Sequence, residues 1–428
     1  MDSNEIRHRL KTLKTEKGIA SRAVGEARKA GRDFSVEVER VKVVSRQIRQ
    51  LESRLAELTS PSADCEQKQP PAPLPPQFSH QDLPAGNPQG LHPGELDDAE
   101  RDAWVANHPR ATIYHTSAIR RVIEDSFGHS ARDLAFRDEQ GEIQGLLPMI
   151  EMKSRLFGHF LVSMPYFNYG GLLANSVAAR DRLLQEAADL AGNLGVEHVE
   201  MRHCFDELDL PSRSEKVAML RPLPDNAEQL WKDIGSKLRA QIKKARRHGL
   251  ETRIGREELL SDFYRVFSHN MRDLGTPVYA IELFENMLRH CSSSYLVLVY
   301  RQGKPVSGGF LLGWCNTLEI PWASTLRSAN RYDANMLLYW TVLESAIERG
   351  YRMFDFGRSS RDSTTLRFKK QWGARPQGLY WHYWLPKGRQ LPALNPNNPK
   401  FRLMVEAWKR LPLFVANRLG PGIVKDIP

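Results

Sequence analysis

Cysteine is scarce in this chain. Four stand at 65, 204, 291 and 315 of 428 residues, and none forms a Cys-x-x-Cys pair. That spacing argues against a local zinc site, and scattered structural thiols suit a reducing cytoplasm. His115 and His203 lack an accompanying set of His, Asp or Glu ligands, so no metal is expected. Long apolar runs are also missing: nothing approaches the ~18–20 residues of a membrane-spanning helix. The start, Met-Asp-Ser-Asn-Glu-Ile-Arg, has no apolar signal core. The expected location is the cytoplasm, or the inner face of a membrane.

What is present describes a protein with sizeable cores. Hydrophobic residues make up 41% and charged residues 26%, and the length suggests two to three domains. The net charge of +10 favours an anionic partner: RNA, a phosphorylated substrate or anionic lipid. It does not choose among them, and many soluble enzymes are as basic.

The most informative feature is a repeat. Asp133–Met152 reads as a β-hairpin around Glu-Gln-Gly-Glu, and Tyr295–Leu312 reads the same way. Each is followed by strand-like residues, an amphipathic helix and another short strand. The helices are Asp181–Asn193 before Gly195 and Met336–Arg349 before Gly350. The two modules are placed at 97–224 and 225–390, with an active site in or beside the crevice between them.

The flanks differ. In residues 1–58, Ile6, Leu10, Leu13, Lys17, Ala20, Val24 and Ala27 follow heptad spacing, as do Val41, Val44, Ile48, Leu51, Leu55 and Leu58. An antiparallel coiled-coil arm is expected, turning at Ala30-Gly-Arg-Asp33. Residues 59–96 carry nine prolines and read as an extended linker. Residues 231–249 read as one basic helix ending at Gly249. Its Lys237, Arg239, Lys243, Lys244, Arg246 and Arg247 form either a solvated face or a nucleic-acid footprint. In the tail, 391–428, Phe401–Leu411 reads as an amphipathic helix. Met404, Trp408 and Leu411 would pack back on the body or meet a membrane surface.

In the second module Thr317–Ala323 is a strand interrupted by Pro321, which cannot donate to a ladder. A helix, the strand Arg352-Met-Phe-Asp-Phe-Gly357, the stretch Arg367-Phe-Lys-Lys-Gln-Trp-Gly373 and a last strand, Gly378–Leu385, follow. This order resembles a GNAT acyltransferase module. The duplicate, with Asp355-Phe-Gly-Arg-Ser-Ser360 and Phe368-Lys-Lys-Gln-Trp-Gly373, resembles the Fem family of tandem-GNAT transferases. Ile113-Tyr-His115 and Ser154–Gly171 are similar to its branch associated with exosortase and exopolysaccharide loci. The arm, through Leu13–Gly25, Lys29–Asp33 and Ile48–Leu55, resembles the coiled coil of seryl-tRNA synthetases. The fold class implied is α/β (α+β): two tandem GNAT-like modules behind a helical hairpin and a proline-rich linker.

The resemblance implies transfer of an aminoacyl group from aminoacyl-tRNA to an amine of a cell-envelope or exopolysaccharide precursor. Such a reaction needs positioning, oxyanion stabilisation and a proton acceptor. Lys369 matches the family's motif lysine, as a surface cation steadying negative charge. Asp355 is a base or an anchor for the following loop, and Tyr332 is a candidate proton relay. Substrate contacts are expected from Arg358, Ser324, Arg327, Asn335, Trp372, Tyr166, Asn168 and Tyr169. One departure matters. CoA-dependent GNAT enzymes carry a glycine-rich pyrophosphate loop before the helix, where this chain has Arg327-Ser-Ala-Asn-Arg-Tyr-Asp-Ala-Asn335. A donor other than CoA, and no bound cofactor, is therefore expected. The alternatives are a CoA- or carrier-dependent transferase acting on a sugar amine, and a non-catalytic scaffold in an exosortase system. The arm would contact tRNA, a partner coil or a second copy.

Overall fold

The computed structural model describes residues 3–29, 33, 35–58, 74, 83–154, 157–204, 208–391 and 399–427. They fall into two compact units divided after Pro71. Cys65, most of the Ala30–Asp33 turn and the proline-rich stretch up to residue 82, residue 74 apart, lie outside the described residues.

The first unit holds two helices, α1 (Ser3–Lys29) and α2 (Ser35–Leu58). Ile6, Leu10, Leu13, Val44 and Ile48 bury one another, with Leu51 against them. The start of α1 thus meets the end of α2, so the helices run antiparallel. Lys17, expected on the seam, is exposed. Its ammonium is better solvated in water than in an apolar seam.

The second unit begins at the tail of the expected linker, which belongs to the body. Leu91 is buried, His92–Pro93 forms β1, and the carbonyls of Pro84 and Ala85 accept from Val177 and Ala178. Then come α3 (Asp98–Asn107), α4 (Ser117–Phe127), β2 (Ser130–Ala131), β3 (Leu134–Arg137), β4 (Ile143–Leu147), β5 (Ile150–Ser154) and β6 (Gly158–Val162). They are followed by β7 (Leu173–Ala174), α5 (Val177–Leu194), β8 (Val199–His203), β9 (Ser212–Arg213) and β10 (Lys216–Pro222). The expected hairpin forms, with β3 antiparallel to β4. Helix α5 starts at a Ser176 cap and stops at Gly195, which is left-handed.

The second half opens on α6 (Ala227–Asp233) and α7 (Ser236–Arg247). The single helix expected over 231–249 is thus broken at Ile234-Gly235. Arg239 Nη1 folds back onto the carbonyls of Trp231, Lys232 and Ile234, satisfying the end of α6. Then follow β11 (Leu250–Gly255), α8 (Leu260–Leu274), α9 (Ile281–His290), β12 (Tyr295–Arg301), β13 (Lys304–Trp314), β14 (Thr317–Thr325), α10 (Ala334–Glu348), β15 (Met353–Ser360), α11 (Thr364–Gln371), β16 (Arg375–Gly378) and β17 (Tyr380–Trp384). The tail forms α12 (Pro399–Trp408) and α13 (Leu413–Val424), two helices separated by Pro412 where one was expected.

Three sheets result, in the orders β1-β3-β4-β7, β2-β5-β6-β8-β17-β9 and β11-β12-β13-β14-β15-β10-β16. The central strands of the last are nearly continuous apolar runs, as strands buried on both faces must be. Helices α7 and α10 supply the core on one face, around Ile242, Leu338 and Leu343. On the other, Phe263, Phe284 and Phe310 join Tyr114, Phe160, Phe167 and Tyr169 of the first half in one continuous core.

The halves exchange strands. β10 ends the first half but pairs with β15 of the second. β17, expected to close the second module, pairs instead with β8 of the first. The seat beside β15 is already filled by β10, so the last strand crosses over.

Candidate active site

Two buried acids meet where β14 and β15 part. Glu319 and Asp355 are opposite each other and are the last residues of the parallel pairing. Paired residues on adjacent strands share a face, so both carboxyls project to the same side. Beyond them β14 bulges. Phe310 faces Trp322 and Leu312 faces Glu319, leaving Ile320 and Pro321 opposite Leu311 alone. Proline has no N–H for a ladder, which is why the interruption falls here. Past this point the inner edges of the two strands line a gap.

The first half enters that gap with Asn168 and Tyr169. The Gly170-Gly171 step lets the chain come close: a Cβ on Gly171 would sit 2.1 Å from the His203 ring. Tyr169 Oη donates to Asp355 Oδ2 at 2.5 Å, and the Gly357 amide donates to Oδ1 at 2.7 Å. Tyr114 Oη donates to Glu319 Oε2 at 2.6 Å. Asn168 Nδ2 stands 3.5 Å from Glu319 Oε1, at the outer limit of a hydrogen bond. Asp355 therefore has both oxygens engaged and acts as an anchor, while Glu319 keeps one oxygen nearly unengaged.

Lys369 sits behind the pair. It is only 8% exposed, which corrects the expectation of a surface lysine. Its Nζ donates to the carbonyls of Gly357 and Arg358 at 3.0 and 2.9 Å, fixing the strand end after Asp355. Burial draws its pKa down to about 8, against the attraction of Asp355 and Glu319. Burial, and then the charge of Asp355, push Glu319 up to about 8. Asp355 is also raised by burial, with Tyr169 and Gly357 opposing. Burial keeps the Tyr114 and Tyr169 hydroxyls protonated as donors. It also pushes the nearby Cys204 thiol up to about 12, which makes it a poor nucleophile.

The equivalent place in the first half is built differently. There β6 and β8 pair in parallel, ending at Val162 opposite Glu200. Burial raises Glu200, but Arg202 at 2.7 Å and Tyr383 at 2.6 Å hold it below the usual carboxylate range. One neutralised acid replaces the pair, so this end is a structural ion pair.

The other expected residues spread over several places. Arg358 and Arg202 lie over the same indole, Trp381, at 5.2 and 4.2 Å. Ser324 accepts from Asn270 at 3.2 Å, and Thr325 donates to Asn335 at 3.3 Å, forming a polar seam beyond the bulge. Arg327 donates to the Asp273 carbonyl at 2.6 Å. Tyr332 rests between Arg301 and Arg331, edge-on to His248, and not beside the acids. Trp372 is completely buried against Tyr339 and Phe368, which places it in the core and not at a substrate surface. Tyr166 donates to the Lys425 carbonyl at 2.5 Å and stacks on Phe127. On α7, Lys244 pairs with Asp333 at 2.7 Å and Lys243 lies 5.9 Å over Trp231, while Lys237, Arg246 and Arg247 are exposed.

Glu319 and Tyr114 are central here and were not singled out from the sequence. A signal existed: Glu319 is a lone charge inside the apolar strand Leu-Glu-Ile-Pro-Trp, next to the proline that breaks it. Among the described residues no cluster of His, Cys, Asp and Glu has the makings of a metal site.

Residues 236–370 match the family described as "Acetyltransferase (GNAT) domain". No curated protein shows significant similarity. Among solved structures, FemX aligns with a TM-score of 0.53 at 14% identity, over 73% of this chain and 100% of its own. The C-terminal domain of a putative lysylphosphatidylglycerol synthetase from Agrobacterium fabrum aligns at 0.45 and 14%, over 66% and 91%. A tandem GNAT protein from the clavulanic acid biosynthesis pathway aligns at 0.43 and 12%, over 71% and 100%. The chain thus carries a GNAT-fold acyltransferase domain, set in a tandem arrangement with the fold of FemX.

Proposed function

We propose that the chain is a Fem-like N-acyltransferase, joining an aminoacyl or related acyl group to an amine of a cell-envelope or exopolysaccharide precursor. The observation that carries this reading is the acid pair at the parting of β14 and β15, reached by Asn168 and Tyr169 from the other half. In the reaction the amine nitrogen bonds to the acyl carbon, the ester C–O bond breaks, and the departing hydroxyl takes a proton. Glu319 is the base for the attacking amine. A carboxyl that titrates near the operating pH combines basicity with the right protonation state. Asp355 and Lys369 hold the strand end, and the exposed Arg358 offers positive charge to a phosphate.

Aminoacyl-tRNA is the proposed donor. At the start of α10, where CoA enzymes leave room for a pyrophosphate, this chain has Asp333 in a left-handed conformation, paired with Lys244. A carboxylate there opposes a second anion. The exposed bases of α7 offer a footprint for the tRNA backbone. The second reading, CoA-dependent transfer to a sugar amine, draws on the acetyltransferase description of residues 236–370.

The test is transfer of labelled amino acid from a panel of charged tRNAs to envelope precursors by the purified full chain. Amide product with charged tRNA, and its loss by about a hundredfold or more in Glu319→Gln, is the expected result. No tRNA binding at low salt, together with measurable CoA affinity, would transfer the assignment to the second reading.

A further inference from the structure

Exposed large apolar side chains are distributed unevenly over the second unit. Met404, Phe414, Leu419 and Ile427 lie on the C-terminal helices and their end, and they are 68%, 75%, 49% and 37% exposed. Two more lie beside them. Leu274 precedes Gly275, which sits against Val405 and Lys409 of the tail. Phe157 lies in the β5–β6 turn, next to Ser154, whose hydroxyl donates to Asp426 at 2.8 Å. Elsewhere in this unit, among the described residues, only Ile254 is comparable. Monomeric proteins seldom gather apolar surface in this way without a use for it.

Basic residues outnumber acidic ones six to two over residues 399–428. Arg410, Arg418 and Lys425 are exposed. The two acids of the segment are already engaged, Glu406 with Lys409 at 2.6 Å and Asp426 with Ser154. On α13 the buried face is Ala416, Gly420 and Val424. Phe414, Arg418 and Lys425, spaced by four and seven, run along the opposite side. An aromatic flanked by bases on the outward stripe of a short helix is the pattern of an interfacial segment.

The segment is fixed to both halves. Tyr166 and His129 of the first half meet the Lys425 carbonyl at 2.5 and 2.8 Å, and Gly420 packs on the Val278 backbone. Tyr166 leads inward through Tyr279 to Trp322, on the bulged strand beside the acid pair. A surface held by the tail would therefore have a fixed place relative to the gap.

We propose that the C-terminal helices form a docking surface for an anionic phospholipid bilayer. Phe414, Leu419 and Met404 enter the acyl boundary, and Arg410, Arg418 and Lys425 meet lipid phosphates. Docking is independent of the acyl-transfer reading and is measured without turnover.

The test is co-sedimentation of the full chain with vesicles of phosphatidylcholine alone and of equal parts phosphatidylglycerol and phosphatidylcholine. Binding should favour the anionic vesicles by about tenfold or more and weaken with salt. Phe414→Ser/Leu419→Ser should lower it at least about tenfold. Arg418→Glu should do the same on anionic vesicles, and thermal melts report whether each variant is folded. The proposal is overturned if the wild type ignores anionic vesicles or if folded variants bind as it does. It is equally overturned if the patch instead joins two copies of the chain, seen as a dimer that Phe414→Ser dissociates, with no vesicle binding.

Discussion

Glu319 loses its proton near pH 8 in the folded chain and near 4.5 when unfolded, because burial and the charge of Asp355 oppose ionisation. Between those values the folded state holds the extra proton, so stability falls as pH rises through the window. Lys369 acts in the opposite sense. The folded state releases its proton near pH 8 and the unfolded chain near 10.5, so stability returns as pH rises between them. The Tm of the wild type relative to Glu319→Gln should therefore fall as pH rises from about 5 towards 8, against the opposite trend that buried His108 and His115 add to both. An unchanged slope in the variant would remove Glu319 as the source. Lys369→Ala should lose activity and also about 2–4 kcal/mol of stability, measured by urea unfolding, because a buried and a half-buried carbonyl lose their donor. The sequence alone suggested a surface lysine. A Phe-Lys-Lys-Gln-Trp helix cannot reveal which lysine folds inward, and that is decided by the carbonyls of Gly357 and Arg358.

At the scale of elements, the gap depends on what ends the pairing of β14 with β15. Gly357 follows Asp355 with φ of +72°, and a Cβ there would lie 3.8 Å from the Ile320 carbonyl and 3.9 Å from Asn168 Nδ2. Gly357→Ala should cost about 1–2 kcal/mol of stability for the left-handed backbone. It should also raise KM more than it lowers kcat, since the methyl narrows the gap without touching Glu319; steady-state kinetics would separate the two. Much at this scale was legible. The apolar-rich runs around short turns placed both hairpins, the glycines at 195 and 350 ended the helices, and Pro321 marked the bulge. The break at Ile234-Gly235 was not legible, because Trp231, Ile234, Leu238 and Ile242 keep helical spacing across it. Arg239 turning back onto the end of α6 holds the break, a contact that spacing does not encode.

At the scale of the molecule, the repeat was readable but the partnering of its strands was not. A strand's pattern tells which face is buried, not which neighbour it takes. Thus Lys216–Pro222 and Tyr380–Trp384 each end one copy and complete the other. Residues 83–224 expressed alone would leave β10 unpaired and β8 without β17. The expected outcome is an insoluble or poorly structured fragment, and likewise for 225–427. Co-expression of the two should restore soluble material, seen by size-exclusion chromatography and circular dichroism. A fragment that folds by itself would show that the exchange is dispensable.

The exchange also governs how the crevice can move. Drawing the halves apart would tear two ladders, β10 from β15 and β17 from β8. These act as two straps, so a jaw-like opening would cost the hydrogen bonds of both ladders. Amide hydrogens of both straps should therefore exchange as slowly as the central strands. Any group that reaches the acid pair then has to enter along the gap between β14 and β15, and not through a hinged opening.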